Sequence, residues 1–316
     1  MKKKRIYFST HEPLSFEFKQ NKDDFIVEEI PSCEFSNKGN FFIMKIKKVH
    51  LSTWELIEII SKKLNIDEHQ IGYAGLKDKN ATTTQYISIP LNRSRGYEIL
   101  NDQKIKILET FKHDRKLKIG DLEGNRFIIN LKNIKEEELH HIYRSISHIQ
   151  KHGLPNYFGY QRFGKDANFE YAKKIVYGEE IINDKKLKNF LVSAYQSYFF
   201  NSWLISRVEL SKKSDSKKLL SLEGDIFKDK EQKIITGLMP GRKVSRAKGE
   251  AGKLESKYDD PFIHDKGMRR DGWIYPKNIQ NRYNSENNTI QLSFTLPKSS
   301  YATVFIESVA NRNFGY

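Results

Sequence analysis

The sequence contains a single cysteine, Cys33, among 316 residues. One cysteine excludes an intrachain disulfide framework and a cysteine-rich zinc site, and it fits the reducing cytoplasm that we predict as the location. No run approaches the roughly 18 consecutive apolar residues of a membrane span, so we predict no association with a membrane. The basic start of the chain, from Met1 to Arg5, lacks the apolar segment that a secretory signal requires.

Familiar cofactor motifs are also missing from the sequence. It has no Walker phosphate loop, no dinucleotide-binding GxGxxG and no HExxH zinc motif. His148 and His152 lie four residues apart on one predicted helix, but no third ligand stands at an evident spacing. We interpret them as ordinary surface histidines, and we predict no metal and no nucleotide cofactor.

Acidic residues are the minority among the charges. There are 55 Lys and Arg against 40 Asp and Glu, which gives a net charge of +15 and a pI of about 9.5. Such an excess commonly marks a nucleic-acid partner, because each neutralised phosphate releases condensed counterions. The alternative is a lysine-rich composition that reflects an AT-biased genome and serves no ligand. The length allows about two domains.

Periodicity predicts strands near the start of the chain. Residues 25–30 are largely apolar and end at Pro31, and residues 41–47 alternate with Phe42, Met44 and Ile46 on one face. A helix follows, in which Ser52 and Glu55 form a capping box. Its apolar positions keep helical spacing: Trp54, Ile57, Ile60 and Leu64.

The next predicted elements end at a domain boundary. Residues 71–90 predict a short strand, a glycine-rich loop and a second strand at 85–89, and residues 126–131 predict another strand. A helix is predicted over residues 136–152, where Gly153 is its C-terminal cap and Pro155 follows. Its inward positions share one face: Leu139, Ile142, Tyr143, Ile146 and Ile149.

Helical patterns dominate the middle of the chain, and a strand returns near its end. Residues 187–210 predict a long buried helix, residues 212–218 a solvated charged loop, and residues 239–271 are weakly patterned. Residues 290–296 alternate as a strand, and a last helix is predicted from about Ser300. This order predicts a mixed sheet that receives its last strand from the C-terminal region, with a second domain inserted between.

The segment from Gly72 to Gln85 has the composition of a reactive loop. Two glycines allow close backbone approach, and Asp78 stands between Lys77 and Lys79. We expect these cations to lower the pKa of Asp78, and an ionised carboxylate is a possible nucleophile. The alternative is an ordinary turn in which Asp78 caps Asn80 or Ala81.

This segment resembles the catalytic motif of the TruD family of tRNA pseudouridine synthases. The family pattern G-x-A-G-x-K-D-x-x-A-x-T-x-Q is matched at every fixed position by residues 72–85. Further matching blocks occur in the family's order: Lys19, residues 24–28, 116–120, 124–127, 155–164, 193–197, Phe200 with Asn201, 296–297 and 300–303. The resemblance is weakest from 208 to 271. It departs mildly at Lys22 and Asp23, where many members have Pro-Glu.

The resemblance implies an α+β pseudouridine synthase fold, with a mixed, mainly antiparallel sheet and an inserted α/β TRUD domain. Residues 1–152 and 278–316 would form the catalytic domain, and residues 153–277 the inserted one. The implied activity is the isomerisation of a uridine in tRNA, expected at position 13 in the D-arm region. No cofactor and no protein partner are implied, and we expect a monomer.

Two other functions compete with this one. A non-catalytic RNA-binding protein on the same fold is disfavoured by the intact Asp78 motif. A phosphatase with an aspartate nucleophile is disfavoured because Asp78 is followed by Lys79 and Asn80, so the D-x-D pattern is absent.

The family also implies roles for residues around a flipped uridine. Asp78 is the catalytic aspartate, and Phe127 stacks on the base; the alternative is a core position that shares a face with Ile129 and Leu131. Asn125 hydrogen-bonds the uracil edge or holds the Asp78 loop, unless it is only a turn residue after Gly124.

Three more positions match the family near its pocket. Lys19 would pair with Asp78 or with a phosphate, and otherwise it is a solvated lysine. Phe25 and Tyr301 would line the pocket, and otherwise each belongs to the core.

Residues of the inserted domain have less specific predictions. Gln161 and Arg162 would stabilise the interface between the domains, and direct RNA contact by Arg162 is the alternative. A basic stretch is interpreted either as a phosphate-binding face or as a solvated loop: Arg242, Lys243, Arg246 and Lys248.

Overall fold

The computed structural model describes residues 4–163, 169–228, 231 and 233–314. Gly164, the last residue of the matching block at 155–164, and the first three residues of the basic start lie outside the described residues. The helices are α1 (Thr53–Leu64), α2 (Leu139–His152), α3 (Phe169–Tyr177), α4 (Lys185–Lys213), α5 (Gly249–Glu255) and α6 (Ala302–Ala310). The strands are β1 (Phe25–Pro31), β2 (Phe41–Val49), β3 (Gly72–Tyr73), β4 (Thr82–Pro90), β5 (Ile105–His113), β6 (Leu122–Leu131), β7 (Leu154–Pro155), β8 (Thr236–Met239), β9 (Met268–Asp271), β10 (Trp273–Ile274), β11 (Lys277–Asn284) and β12 (Thr289–Pro297).

The chain divides into two compact units. The sheet unit consists of Ser15–Glu137 and Pro276–Ser299, and the helical unit of Met1–Leu14, Glu138–Tyr275 and Ser300–Tyr316. These bounds group the chain by compactness and differ from the predicted domains at 1–152, 153–277 and 278–316, which stay a prediction.

An eight-stranded sheet forms the centre of the sheet unit. Its strand order is β11-β12-β6-β1-β4-β2-β5, with β3 paired to β4. β1 and β4 are parallel, whereas the remaining pairings in this sheet are antiparallel. The predicted mixed, mainly antiparallel sheet is therefore confirmed, and so is the prediction that a late strand, β12, enters it.

Helix α1 packs on one face of this sheet. Ser52 Oγ accepts a hydrogen bond from Glu55 N at 3.2 Å, and Glu55 Oε2 accepts one from Ser52 N at 2.7 Å, so the predicted capping box is confirmed. The helix buries Leu56, Ile57 and Ile60. Trp54, one of the apolar positions at helical spacing, is 51% exposed, because the buried stripe runs through positions 53, 56, 57 and 60.

A long helix organises the helical unit. Helix α4 extends three residues beyond the predicted 187–210 at its C-terminal end, and its middle is buried around Trp203 and Arg207. Arg207 forms a buried ion pair with Asp225 at 2.7 Å. Strand β8 passes so close to α4 that a Cβ on Gly237 would lie 2.3 Å from the Trp203 ring, which requires glycine there.

The helical unit departs from the sequence prediction at two places. Tyr143, predicted to face inward on α2, is 37% exposed. The weakly patterned residues 239–271 include α5 and β9, which pairs with β8. In the described part of the chain, no helix combines the length and apolar character needed to cross a membrane.

Candidate active site

The Asp78 loop, residues 74–81, connects β3 to the buried strand β4 in the sheet unit. At its start the backbone passes close to neighbouring segments, since a Cβ on Gly72 would lie 2.3 Å from Ser88 Oγ and 2.5 Å from the Leu117 carbonyl oxygen. Gly120 N donates a hydrogen bond to Ala74 O at 2.8 Å. The segment 116–120, which matched the family, therefore supports the start of the loop.

The Asp78 carboxylate is available to a ligand. The residue is exposed, and within the described residues its carboxylate oxygens accept no hydrogen bond, from Asn80 or Ala81 or elsewhere. The predicted alternative, a turn capped by Asp78, is therefore not what the structure has. The backbone of Asp78 is fixed instead, because its carbonyl oxygen accepts a hydrogen bond from Lys48 Nζ at 3.3 Å.

Lys48 is fully buried beneath this loop. Its Nζ donates to the Leu51 carbonyl oxygen as well as to that of Asp78. Burial lowers the pKa of Lys48 to about 8, against the opposing charge of Asp78 and together with the like charge of Lys77. The sequence analysis did not single out Lys48, although the alternation through Phe42, Met44 and Ile46 places position 48 on the same inward face.

Lys77 anchors the loop to strand β1. Its Nζ lies 2.5 Å from Glu29 Oε2, and the two side chains are 5% and 1% exposed. The backbone N of Lys77 donates to Thr53 Oγ1 at 2.9 Å, which ties the loop to the first turn of α1. Glu29 Oε1 in turn accepts a hydrogen bond from Tyr86 N at 3.1 Å, so both carboxylate oxygens are used.

Lys79 joins the solvent-exposed side of the loop to helix α1. Its Nζ donates to Glu55 Oε1 at 2.6 Å, while the other oxygen of Glu55 completes the capping box of α1. The hydrogen bond from Lys79, followed by that from the Ser52 backbone, lowers the pKa of Glu55 to about 2. The charge of Lys79 is therefore directed at Glu55 and away from Asp78.

The predicted direction of the Asp78 pKa is wrong. Although the residue as a whole is exposed, the surrounding protein removes water from its carboxylate, and this raises the pKa of Asp78 against the positive charges of Lys48 and Lys77. The flanking lysines were expected to lower it. They do not decide the direction, because the loss of water outweighs the charge of Lys77, and Lys79 is paired with Glu55.

Strand register places the supporting residues on one face of the sheet. Phe127 pairs with Val27, Val27 with Thr83, and Thr83 with Lys48, and paired residues of neighbouring strands point to the same side. Asn125 pairs with Glu29. Asn125 lies two residues from Phe127, and Glu29 lies two residues from Val27, so this pair shares the same face of the sheet. The Asp78 loop is thus anchored to the face that presents Asn125 and Phe127.

The aromatic positions on this face are closely packed. Phe127 is 6% exposed, and its ring centroid lies 5.6 Å from that of Phe294 and 6.0 Å from that of Phe25. Phe25 is 2% exposed. Asn125 Oδ1 is buried and has no hydrogen-bond partner among the described residues, so it is an acceptor that a ligand can use.

Within the described residues, no contact of the sheet unit joins Lys19 to Asp78, and Tyr301 belongs to the other unit. Lys19 is exposed and pairs with Glu17 at 3.0 Å, whereas the charges that act on Asp78 are those of Lys48 and Lys77. Tyr301 immediately precedes α6 in the helical unit, and its ring centroid lies 5.9 Å from that of Phe158. Their predicted roles remain predictions.

The predicted residues of the inserted domain make contacts inside the helical unit. Arg162 donates to Ser193 Oγ, and to Ser197 Oγ at 3.1 Å, which joins the block at 155–163 to the matching block in α4. Arg246, in the basic stretch, pairs with Asp259 at 2.6 Å. The rings of His148 and His152 lie 4.7 Å apart. Among the described residues no group of three or more His, Cys, Asp or Glu is placed to bind a metal.

Known proteins are similar to this chain in sequence and in fold. The profile of the family described as tRNA pseudouridine synthase D (TruD) matches residues 3–183. Proteins named tRNA pseudouridine synthase D are 38% identical in Wolinella succinogenes and 37% identical in Nitratiruptor sp., each over 98% of both chains. A crystal structure described as a TruD protein of Methanosarcina mazei matches with a TM-score of 0.71 at 24% identity. It covers 98% of this chain and 96% of that one.

The structural match confirms the predicted fold, and the sequence matches decide the family. The profile spans more than half of the 316 residues, and the two relatives match almost the whole length. The chain therefore belongs to the TruD family of tRNA pseudouridine synthases.

Proposed function

We propose that this protein converts uridine 13 of tRNA to pseudouridine and that Asp78 is its catalytic aspartate. The observation that supports this assignment is the setting of Asp78. Its carboxylate is free of protein partners in the described part of the chain, while its backbone is held by the buried Lys48 and its neighbour Lys77 is locked to Glu29. A rigid loop that presents an unengaged carboxylate is what a nucleophile or an acid–base group requires.

The reaction is an isomerisation in which atoms and electrons balance within the nucleotide. The bond between uracil N1 and ribose C1′ breaks, the base turns, and a bond forms between C5 and C1′. The hydrogen on C5 leaves as a proton, and N1 ends with one proton. Asp78 starts this sequence either by attacking C1′ or by removing a proton from the ribose.

Asn125 and Phe127 are the residues that we assign to the base. A uridine must leave its stack to reach the enzyme's carboxylate. The unpaired Oδ1 of Asn125 matches the N3–H donor of uracil, and Phe127, which is 6% exposed on the same face, is the ring that we assign to stack on the base. Phe25 has almost no surface left for a ligand, so in this proposal it acts behind Phe127 by fixing that ring.

The names of the relatives supply the substrate class in this proposal. The proteins of Wolinella succinogenes and Nitratiruptor sp. are named for tRNA, and a net charge of +15 fits a polyanionic substrate. We further propose that the protein acts in the cytoplasm as a monomer, with residues 1–152 and 278–316 as its catalytic domain.

The test compares wild type with Asp78→Asn, which preserves the shape of the side chain and removes its charge. Each protein is incubated with an unmodified tRNA transcript, and pseudouridine is mapped chemically at each uridine. We expect wild type to modify position 13 alone and Asp78→Asn to form no detectable product while still binding the transcript. Asp114→Asn, at an exposed position of the same unit, is the matched control and should retain full activity.

Each part of the proposal can fail separately. Activity retained by Asp78→Asn would remove the catalytic assignment, and modification at another uridine would correct the position. If wild type binds tRNA but modifies nothing, the non-catalytic RNA-binding function replaces the isomerase.

A further inference from the structure

A concave surface lies within the helical unit, among residues that the proposed function does not use. Its cavity volume is about 370 Å³, and it is formed by the N-terminal segment around His11, by one face of α2, and by the end of α4 with the turn after it. Helix α2 contributes His141, Arg144 and His148, which are spaced three and four residues apart and so share a helical face. The opposite stripe of α2, with Ile142, Ile146 and Ile149, is buried.

The lining of this cavity is strongly biased towards positive charge. Arg144, Lys212 and Lys217 line it, although Lys212 Nζ already donates to the Tyr7 carbonyl oxygen at 2.7 Å. Its three histidines add hydrogen-bonding groups more than charge, since loss of water lowers the pKa of His141 and that of His148. Helix α2 contains no Asp or Glu in its 14 residues. Asp215 is the one carboxylate among the lining residues, and it is already paired with Lys217 at 2.9 Å. A solvated helix face normally mixes both signs, so this bias calls for an anionic ligand.

Two lining groups lack a hydrogen-bond or ion-pair partner within the described residues. Arg144 is exposed and forms no hydrogen bond or ion pair there, and His148 Nε2 is buried without a hydrogen-bond partner. Buried polar atoms are nearly always satisfied in folded proteins, so an unsatisfied one beside an unpaired guanidinium suggests a missing ligand atom. By contrast, His11 is fixed, because its Nε2 lies 2.9 Å from Ser145 Oγ.

We propose that this cavity binds a phosphate group of the RNA backbone, with Arg144 as the principal contact. A guanidinium can donate two parallel hydrogen bonds to phosphate oxygens. The imidazole of His148 can donate a further one from Nε2, and Lys212 adds charge at the end of α4. The assignment to RNA rests on the proposed function, because the cavity itself recognises only the phosphate chemistry.

The experiment measures the binding of an unmodified tRNA transcript by fluorescence anisotropy as a function of salt. Arg144→Gln should lower the affinity roughly five- to eightfold at about 0.1 M salt, and it should reduce the slope of log affinity against log salt by about one. Arg144→Lys keeps the charge and should retain most of that slope. Arg95→Gln, at an exposed position of the sheet unit without a protein partner in the described residues, is the charge-matched control and should change neither quantity.

Several results would overturn the proposal. Unchanged affinity and slope in Arg144→Gln would do so, as would an equal loss in Arg95→Gln, which would indicate only a general charge effect. Inorganic phosphate, added at constant ionic strength, identifies the source of the anion. If it binds wild type but Arg144→Gln binds tRNA normally, the cavity serves a small anion and not RNA. Binding is read without turnover, so an inactive wild type would refute the proposed function and leave this test intact.

Discussion

Three lysines around one aspartate perform three different tasks. Lys48 is buried and holds the Asp78 backbone, Lys77 is buried and pairs with Glu29, and Lys79 is exposed and pairs with Glu55. A lysine that is fully buried is costly unless its ammonium group is hydrogen-bonded, and Lys48 uses two carbonyl oxygens for this purpose. We therefore interpret the burial of Lys48 as a means of holding the Asp78 loop, and not as a contribution to the stability of the fold.

We predict that Lys48→Met slows catalysis with little effect on tRNA binding. Methionine has a similar volume and keeps the packing, but it removes the hydrogen bond to Asp78 O, so the carboxylate is held less precisely. A displacement of about 1 Å at a reacting group can lower the rate by roughly a hundredfold. We therefore expect kcat to fall about 10–100-fold with KM unchanged. Single-turnover rates with saturating enzyme measure this directly.

Lys47→Met is the matched control for this prediction. Lys47 lies next to Lys48 on β2, on the opposite face, and is exposed. It should keep the wild-type rate. A wild-type kcat in Lys48→Met, or an equal loss in both variants, would mean that Lys48 does not position Asp78.

At the scale of elements, the Asp78 loop is joined to four separate parts of the sheet unit. Lys77 reaches β1 through Glu29 and the start of α1 through Thr53, and Lys48 reaches up from β2. Gly120, just before β6, holds Ala74 at the loop's other end. A connection of eight residues, 74–81, with this many anchors behaves as part of the scaffold.

The buried pair of Lys77 and Glu29 leads to a prediction about stability. Lys77→Met leaves the Glu29 carboxylate buried beside an apolar group, and breaking a buried pair in this way typically costs about 3–5 kcal/mol. The free energy of unfolding, measured with urea at pH 7, should fall by that order in the single variant. Adding Glu29→Gln should restore much of the loss, because the uncompensated charge is then gone.

The double-mutant cycle shows whether this explanation holds. If Lys77→Met and the double variant unfold at the same urea concentration, the effect of the substitution comes from the packing of the side chain, and the ion pair contributes little.

Elements with a one-sided apolar pattern could be predicted from the sequence. The alternation in β2 and β12 and the capping box of α1 each correspond to an observed element, because burial on one face forces a regular pattern. Strand β11 (Lys277–Asn284) was missed because it lies at the sheet edge, where mostly polar residues remain exposed on both faces. Strand β5 was missed for a similar reason, since its middle is largely exposed.

The candidate site was predictable only where the motif itself is local. Asp78 could be singled out from its own segment, but the direction of its pKa could not, because that depends on how far the folded protein removes water from the carboxylate. Lys48 is 30 residues away in sequence. The alternation in β2 predicted that position 48 faces inward. It could not predict the role of the lysine there, because that role depends on which segment packs against it.

At the scale of the whole molecule, the excess of positive charge should govern affinity for RNA. With a net charge of +15, we expect tRNA binding to weaken steeply with salt. If about four phosphates are contacted, the affinity should fall roughly a hundredfold between about 50 and about 200 mM salt. Anisotropy titrations at several salt concentrations measure this slope. A flat dependence would mean that the charge reflects composition and does not serve the ligand.

The order of strands in the sheet has a consequence for synthesis of the protein. Asn125 and Phe127 lie on β6, whose partners are β1 on one side and β12 on the other. β12 is translated only after the whole of Glu138–Tyr275 has been made. Until then the β6 edge is unpaired, and such edges invite pairing with other chains. The surface that presents Asn125 and Phe127 is therefore completed late in synthesis, and a product truncated before β12 would have Asp78 but lack the strand whose Phe294 packs against Phe127.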